Sequence, residues 1–135
     1  MSNNEPKIRM LEICNALAIN ENTSVFHEAE FINNAPHHYM VVDKQTLGED
    51  RNNAAPTILG AIDFQNGPAK ENGVNGVTEE NLLAIVANRL ENFQAGDYAC
   101  RENHLALIHI EEALMWLKKR TAEREIRNIE GTSKV

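Results

Sequence analysis

The feature that most constrains this chain is a stretch from about Tyr98 to Asn128 that has no Gly or Pro in its interior and carries Leu107, Ile110, Leu114 and Leu117 along one stripe. Apolar residues three and four apart fall on one side of a helix, so the stretch predicts a long amphipathic helix with one stripe to bury. Upstream, Leu82, Leu83, Val86, Leu90 and Phe93 recur at the same spacing between Glu79 and Gln94. Thr78 is placed to cap this shorter helix, Gly96 to stop it and Asp97 to cap the longer one. A turn of about three to four residues then folds the two into an αα-hairpin over 78–128.

The N-terminal region, 1–65, has a different grain. Lys7 to Ile19 reads as a short helix, with Ile8, Leu11 and Leu17 roughly on one side, ended by Asn20-Glu-Asn-Thr23. Ser24 to Asn34 carries mixed signals, and Asn33-Asn34-Ala35-Pro36 reads as a break. Tyr39 to Val42 and Thr57 to Gln65 are β-favouring runs, the second alternating Ile58, Ile62 and Phe64 against Leu59, Ala61 and Asp63. Asp43 to Pro56 is too polar for a crossover helix, which predicts antiparallel pairing. Asn66-Gly-Pro68 and Asn72-Gly-Val-Asn-Gly76 suit turns that need positive φ. The expected fold class is α+β: one domain over 1–135, a small antiparallel sheet followed by a hairpin packed against it.

Charge narrows the partners. A net charge of -7 argues against a surface that grips duplex nucleic acid, because such binding is driven by releasing counterions from many phosphates. Cys14 and Cys100 stand far apart without CxxC spacing, so neither a zinc cluster nor a disulfide framework is expected. No apolar run reaches the roughly 18 to 20 residues that cross a bilayer, and the polar start lacks a signal peptide's regions. The expectation is a soluble cytosolic protein without cofactor, metal or membrane.

The two helices differ in length, by about 24 Å against about 45 Å at 1.5 Å per residue, so the second overhangs the first. Beyond Leu117 the stripe continues through Thr121, Arg124 and Asn128, flanked by Arg120 and Arg127; Lys118 to Arg127 holds five basic and two acidic residues. Cations near a helix C-terminus complement its dipole without further purpose. A short arginine cluster also suits a compact phosphorylated ligand. At the other end of the stripe, Asn103 carries donors and acceptors that can read a base edge beside Phe93, although both residue types also serve as ordinary packing. Asn103 and Arg124 lie about 31 Å apart on one helix, too far for one small ligand. If both touch it, two protomers supply them, and the overhang predicts a homo-oligomer.

Several short motifs occur together: Ile62-Asp-Phe-Gln-Asn-Gly-Pro68, Gly73-Val-Asn-Gly-Val77, Phe93-Gln-Ala-Gly96, Arg101-Glu-Asn103, Glu111-Glu-Ala-Leu-Met-Trp-Leu117, Arg120-Thr121 and Glu130-Gly-Thr132. In this order they resemble the first class of phage Thoeris anti-defence proteins, which share a helical-hairpin domain with the second class of anti-CBASS proteins. The resemblance covers about Ile62 to Thr132 and leaves the N-terminal half without a matched motif. It implies a sponge in the host cell cytoplasm that binds glycocyclic ADP-ribose without degrading it. It also implies hexamers and separate sites for cyclic trinucleotides. The family's ligand residues carry over to Phe93, Asn103, Arg120 and Arg124. In that arrangement Phe93 packs on the base, Asn103 hydrogen-bonds it, and the arginines of a neighbouring chain face the pyrophosphate.

Two other classes compete. A phosphodiesterase acting on the same messenger needs a catalytic constellation, yet His37 and His38 are adjacent and on a strand face opposite ways. No HxH, HExxH or CxxC spacing occurs, and His109 beside Glu111-Glu112 reads as a solvated helix face. The other class is a protein-interaction module gripping a partner through Met115, Trp116 and the overhang.

Overall fold

A computed structural model describes residues 9–15, 17–18, 20–48 and 55–127. The chain forms two compact units, Met1–Asn66 and Gly67–Val135. In the first, β1 (Met10–Glu12), β2 (Thr23–Glu28), β3 (His38–Asp43) and β4 (Ile58–Asp63) form one antiparallel sheet in the order β1-β2-β3-β4. The two strands expected from β-favouring runs are β3 and β4, and they pair antiparallel as expected.

The expected helix over Lys7 to Ile19 is overturned where the residues are described. Met10 lies opposite Glu28 and Glu12 opposite Phe26, and Leu17, counted in the helical stripe, is 99% exposed. An isolated helix of about thirteen residues is marginal in water, so pairing with a neighbouring strand satisfies these backbone groups better. β2 escaped notice because polar residues hold its inner positions: Ser24 and Glu28 are the buried ones. Glu28 is stabilised there by its Oε1, which accepts from the backbone amides of His37 and His38. Asn33 and Asn34, at φ 58 and 65, make the break the sequence announced.

The alternation read along β4 fails at one place. The register shifts between Val41 and Val42, so that Val41 faces Gly60 while Val42 faces Ile58. An extra residue in one strand reverses the side-chain parity. Ile58 therefore shares the face of Val42, Met40 and Ala61 instead of that of Ile62. Asp43 closes β3 by accepting from the Gln45 amide at 3.0 Å, which starts a 3-10 turn over Lys44–Thr46.

The second unit opens with α1 (Ala69–Asn72), then α2 (Glu79–Gln94) and α3 (Arg101–Ile126). Gly67 and Gly73 take φ 79 and 72, as the turn composition required. Thr78 caps α2 within a capping box: its Oγ1 accepts from the Asn81 amide at 3.2 Å, and Asn81 Oδ1 accepts from the Thr78 amide at 2.9 Å. Two turn assignments change. The connection runs from Ala95 to Cys100, and Cys100, not Asp97, caps α3. Gly96 keeps a negative φ, so α2 ends without the left-handed residue that glycine usually provides.

The hairpin seam follows the stripe read from the sequence. On α3 the less exposed positions are Asn103, Leu107, Ile110, Ala113, Leu114, Leu117, Thr121 and Arg124. On α2 they include Leu82, Leu83, Leu90 and Phe93, with Ala87 buried. Val86, expected in that stripe, is instead 45% exposed, while Ala87 beside it is buried.

Candidate ligand site on the hairpin

The four ligand candidates fall at opposite ends of the hairpin. Phe93 is in the last turn of α2 and Asn103 in the first turn of α3, flanking the Ala95–Cys100 turn. Arg120 and Arg124 are near the other end of α3, which runs unbroken through all 26 of its residues. At about 1.5 Å per residue, Asn103 and Arg124 are about 31 Å apart. The fold therefore unites Phe93 with Asn103 at the tip and Arg120 with Arg124 at the far end, and separates the two pairs.

At the tip, Phe93 is half-buried and already has aromatic and cationic neighbours. The Arg89 guanidinium lies 4.9 Å from its ring centroid, and Tyr98 meets it edge-on at 6.0 Å and 68°. Arg89 precedes Phe93 by four residues, so the pair is the ordinary helical i,i+4 neighbour relation, which the sequence reading left unused. Tyr98 is 77% exposed. Asn103 is held by the cap of α3, its backbone amide donating to Cys100 Sγ at 3.4 Å.

At the far end, Arg120 Nη2 donates to Glu80 Oε1 at 3.3 Å. Glu80 stands in the first turn of α2, so Arg120 marks where the shorter helix ends and α3 begins to extend beyond it. Arg124, one turn further, is half-buried and is the basic residue of the last turn of α3. Phosphate oxygens approaching this end meet two guanidinium groups on one helix face, with Glu80 anchoring the first.

A second face of α3 is apolar and open. Leu105, Ile108, Met115 and Trp116 are 37%, 44%, 70% and 61% exposed. At about 100° per residue they cluster on the side opposite Leu107, Ile110, Leu114 and Leu117. Ile85, 64% exposed, is likewise opposite the seam on α2.

In the first unit, His38 Nδ1 is 2.6 Å from Asp63 Oδ1 and its Nε2 is 3.8 Å from Glu28 Oε2. The Asp63 hydrogen bond raises the His38 pKa above its ordinary 6.5, partial burial opposes this, and the Glu28 and Asp63 charges add to the rise. His37 turns away to Ile32, its Nε2 lying 2.7 Å from the carbonyl oxygen. The adjacent histidines thus have separate partners, and among the described residues no group of three or more His, Cys, Asp or Glu could hold a metal.

The family model for the Acb2/Tad1 hairpin domain matches residues 57–122. Thoeris anti-defense 1 of Bacillus phage SBSphiJ7 is 45% identical over 141 residues, covering 91% of this chain and 98% of that protein. The chain belongs to this Acb2/Tad1 family. With 91% of this chain covered, the similarity extends into the N-terminal half, where no short motif matches. Among the described residues no helix is long and apolar enough to cross a membrane.

Proposed function

We propose that this protein is a Thoeris anti-defence protein of phage type that binds glycocyclic ADP-ribose in the host cytoplasm and holds it intact. The observation that carries the reading is the division of the ligand residues between the two ends of a continuous α3, joined to an apolar outer face on the same helix. A contact with further copies would cover Leu105, Ile108, Met115 and Trp116, which lie opposite the seam. A separate antiparallel approach of two protomers on the seam side would bring Phe93 and Asn103 of one chain beside Arg120 and Arg124 of the other. Phe93 then packs on the base, Asn103 hydrogen-bonds its edge, and the arginines neutralise the pyrophosphate. The relative's name supports the anti-defence role; the assembly is read as a homo-oligomer, a hexamer by family resemblance, with cyclic trinucleotides at separate sites.

A sponge has no turnover, so it must bind below signalling concentrations; a nanomolar Kd corresponds to about -12 kcal/mol. Two charge-assisted arginine contacts at about 1.5 to 3 kcal/mol each fall short of that, so stacking and an enclosed, preformed pocket must supply the rest. Phe93→Ala and Arg124→Ala are each expected to weaken binding by at least about a hundredfold, or about 2.7 kcal/mol, in calorimetric titration with glycocyclic ADP-ribose. The deciding measurement incubates the protein with this messenger, removes the unbound fraction, denatures the protein by heat and identifies what is released by mass spectrometry. Intact messenger near one per chain supports the sponge. Altered products would make it a phosphodiesterase, and no bound ligand would favour a protein-interaction role.

A further inference from the structure

Phe93 and Asn103 sit on different helices, so any ligand touching both depends on how the Ala95–Cys100 turn sets one helix end against the other. Backbone bonds within the turn do part of this: the Gly96 amide donates to the Phe93 carbonyl at 3.2 Å, and the Ala99 amide to the Gly96 carbonyl at 3.3 Å. Neither bond reaches Cys100 or the helix it caps. One side chain does. Gln94, the last residue of α2, donates through Nε2 to the Cys100 carbonyl at 3.0 Å, while the Cys100 amide donates to Gln94 Oε1 at 2.9 Å.

The geometry of this ring is restrictive. A carboxamide carries its donor and acceptor side by side. It can engage both polar groups of one residue only where that residue is extended and its N–H and C=O point the same way, as in strands that exchange both bonds with one partner residue. Cys100 has φ −152 and ψ 162, which meets this condition. From there the order passes directly into α3. The Cys100 carbonyl accepts from the His104 amide at 3.2 Å, its Sγ accepts from the Asn103 amide at 3.4 Å, and α3 begins at Arg101.

We propose that Gln94 is a positioning residue for messenger binding: its two-bond hold on Cys100 fixes the first turn of α3, and with it Asn103, relative to Phe93. This rests on the reading above that Phe93 and Asn103 meet the base. Gln94 itself touches no part of the ligand. Its effect is to remove, before binding, the freedom that the helix ends would otherwise lose on enclosing the base. Replacement by a side chain of similar length without an amide opens the ring and leaves the cap of α3 without its external tether.

The test compares the wild-type protein with Gln94→Met, Gln94→Glu, Phe93→Ala and Arg124→Ala. Each is titrated with glycocyclic ADP-ribose, and amide hydrogen exchange is followed at Asn103 and His104. Gln94→Met is expected to raise Kd by about tenfold or more and to speed exchange at these two amides, with the middle of α3 unchanged and the melting temperature close to wild type. Gln94→Glu keeps the acceptor but sets a carboxylate against the Cys100 carbonyl, and is expected to bind no better than Gln94→Met. Wild-type affinity in Gln94→Met, with Phe93→Ala and Arg124→Ala impaired, would overturn the role of Gln94 and leave the site standing. Loss of affinity matched by general loss of protection along α3 would also overturn it, because Gln94 would then be holding the fold. Wild-type affinity in Phe93→Ala and Arg124→Ala would instead remove the site on which the inference depends.

Discussion

The polar residues of the sheet show how much a single side chain's role depends on its neighbours across strands. Glu28, His38 and Asp63 come from β2, β3 and β4, and they meet because the antiparallel register puts His38 opposite Asp63. Asp63 is the main cause of the raised His38 pKa, so protonation of His38 favours the folded state. That contribution is complete below the ordinary value of 6.5 and is lost as pH rises through the higher folded value. Both side chains are largely exposed, at 60% and 68%, so solvent screening keeps the effect small. Comparing the urea stability of wild type and His38→Gln between about pH 5.5 and about pH 8.5 should show an advantage of the wild type that shrinks as pH rises. A constant difference would mean that His38 acts through packing and not through its charge.

At the scale of elements, the helices obey their sequence more closely than the turns between them. The Thr78 cap and the stripe from Leu107 to Arg124 were legible because helix hydrogen bonds and side-chain spacing are local. The end of α2 was not. Gly96 suggested a left-handed stop, yet a Cβ there would meet only the Asn92 carbonyl oxygen at 3.9 Å, an ordinary contact. Gly67 is the contrasting case: it has φ +79, and a Cβ there would come within 2.8 Å of the Asn72 side chain. Gly96→Ala should therefore leave stability within about 0.5 kcal/mol of wild type or raise it, while Gly67→Ala should lower it by about 1 kcal/mol or more. Chemical denaturation of both variants decides the matter; equal losses would show that glycine is needed at both turns. The bulge in β4 belongs to the same scale, since no alternation in the strand itself reveals that one residue will be unpaired.

For the whole molecule, the main energetic fact is an apolar surface on the hairpin that the single chain leaves in water. Trp116 and Met115 are more than half exposed on the face of α3 opposite the seam, and Ala87 is the hairpin's one buried apolar residue among those described. Two helices alone enclose little, so association with further copies is the natural way to bury the rest. On the proposed assembly, Trp116→Asp is expected to shift the protein toward the protomer in sedimentation velocity and to weaken the proposed messenger binding together with it. An assembled Trp116→Asp protein with normal affinity would separate this face from both assembly and ligand binding. Because each proposed pocket draws on two chains, dilution below the assembly threshold should weaken binding in the wild type as well.

Local patterns along the chain were enough for the α+β class, the hairpin limits to within a few residues and the antiparallel pairing of β3 with β4, and the resemblance carried by the motifs put forward the four ligand candidates. These follow from helical spacing, turn chemistry and motif order, all of which act over short range along the chain. The tertiary structure decided what depends on distant partners. It recruited Met10–Glu12 and Thr23–Glu28 as strands, because a sheet accepts weakly patterned segments that satisfy their backbone groups against a neighbour. It paired His38 with Asp63, placed Arg120 against Glu80 and closed the Gln94 amide on Cys100. None of these contacts leaves a periodic mark in the sequence, because each is fixed by where the backbone brings two residues and not by their spacing along it.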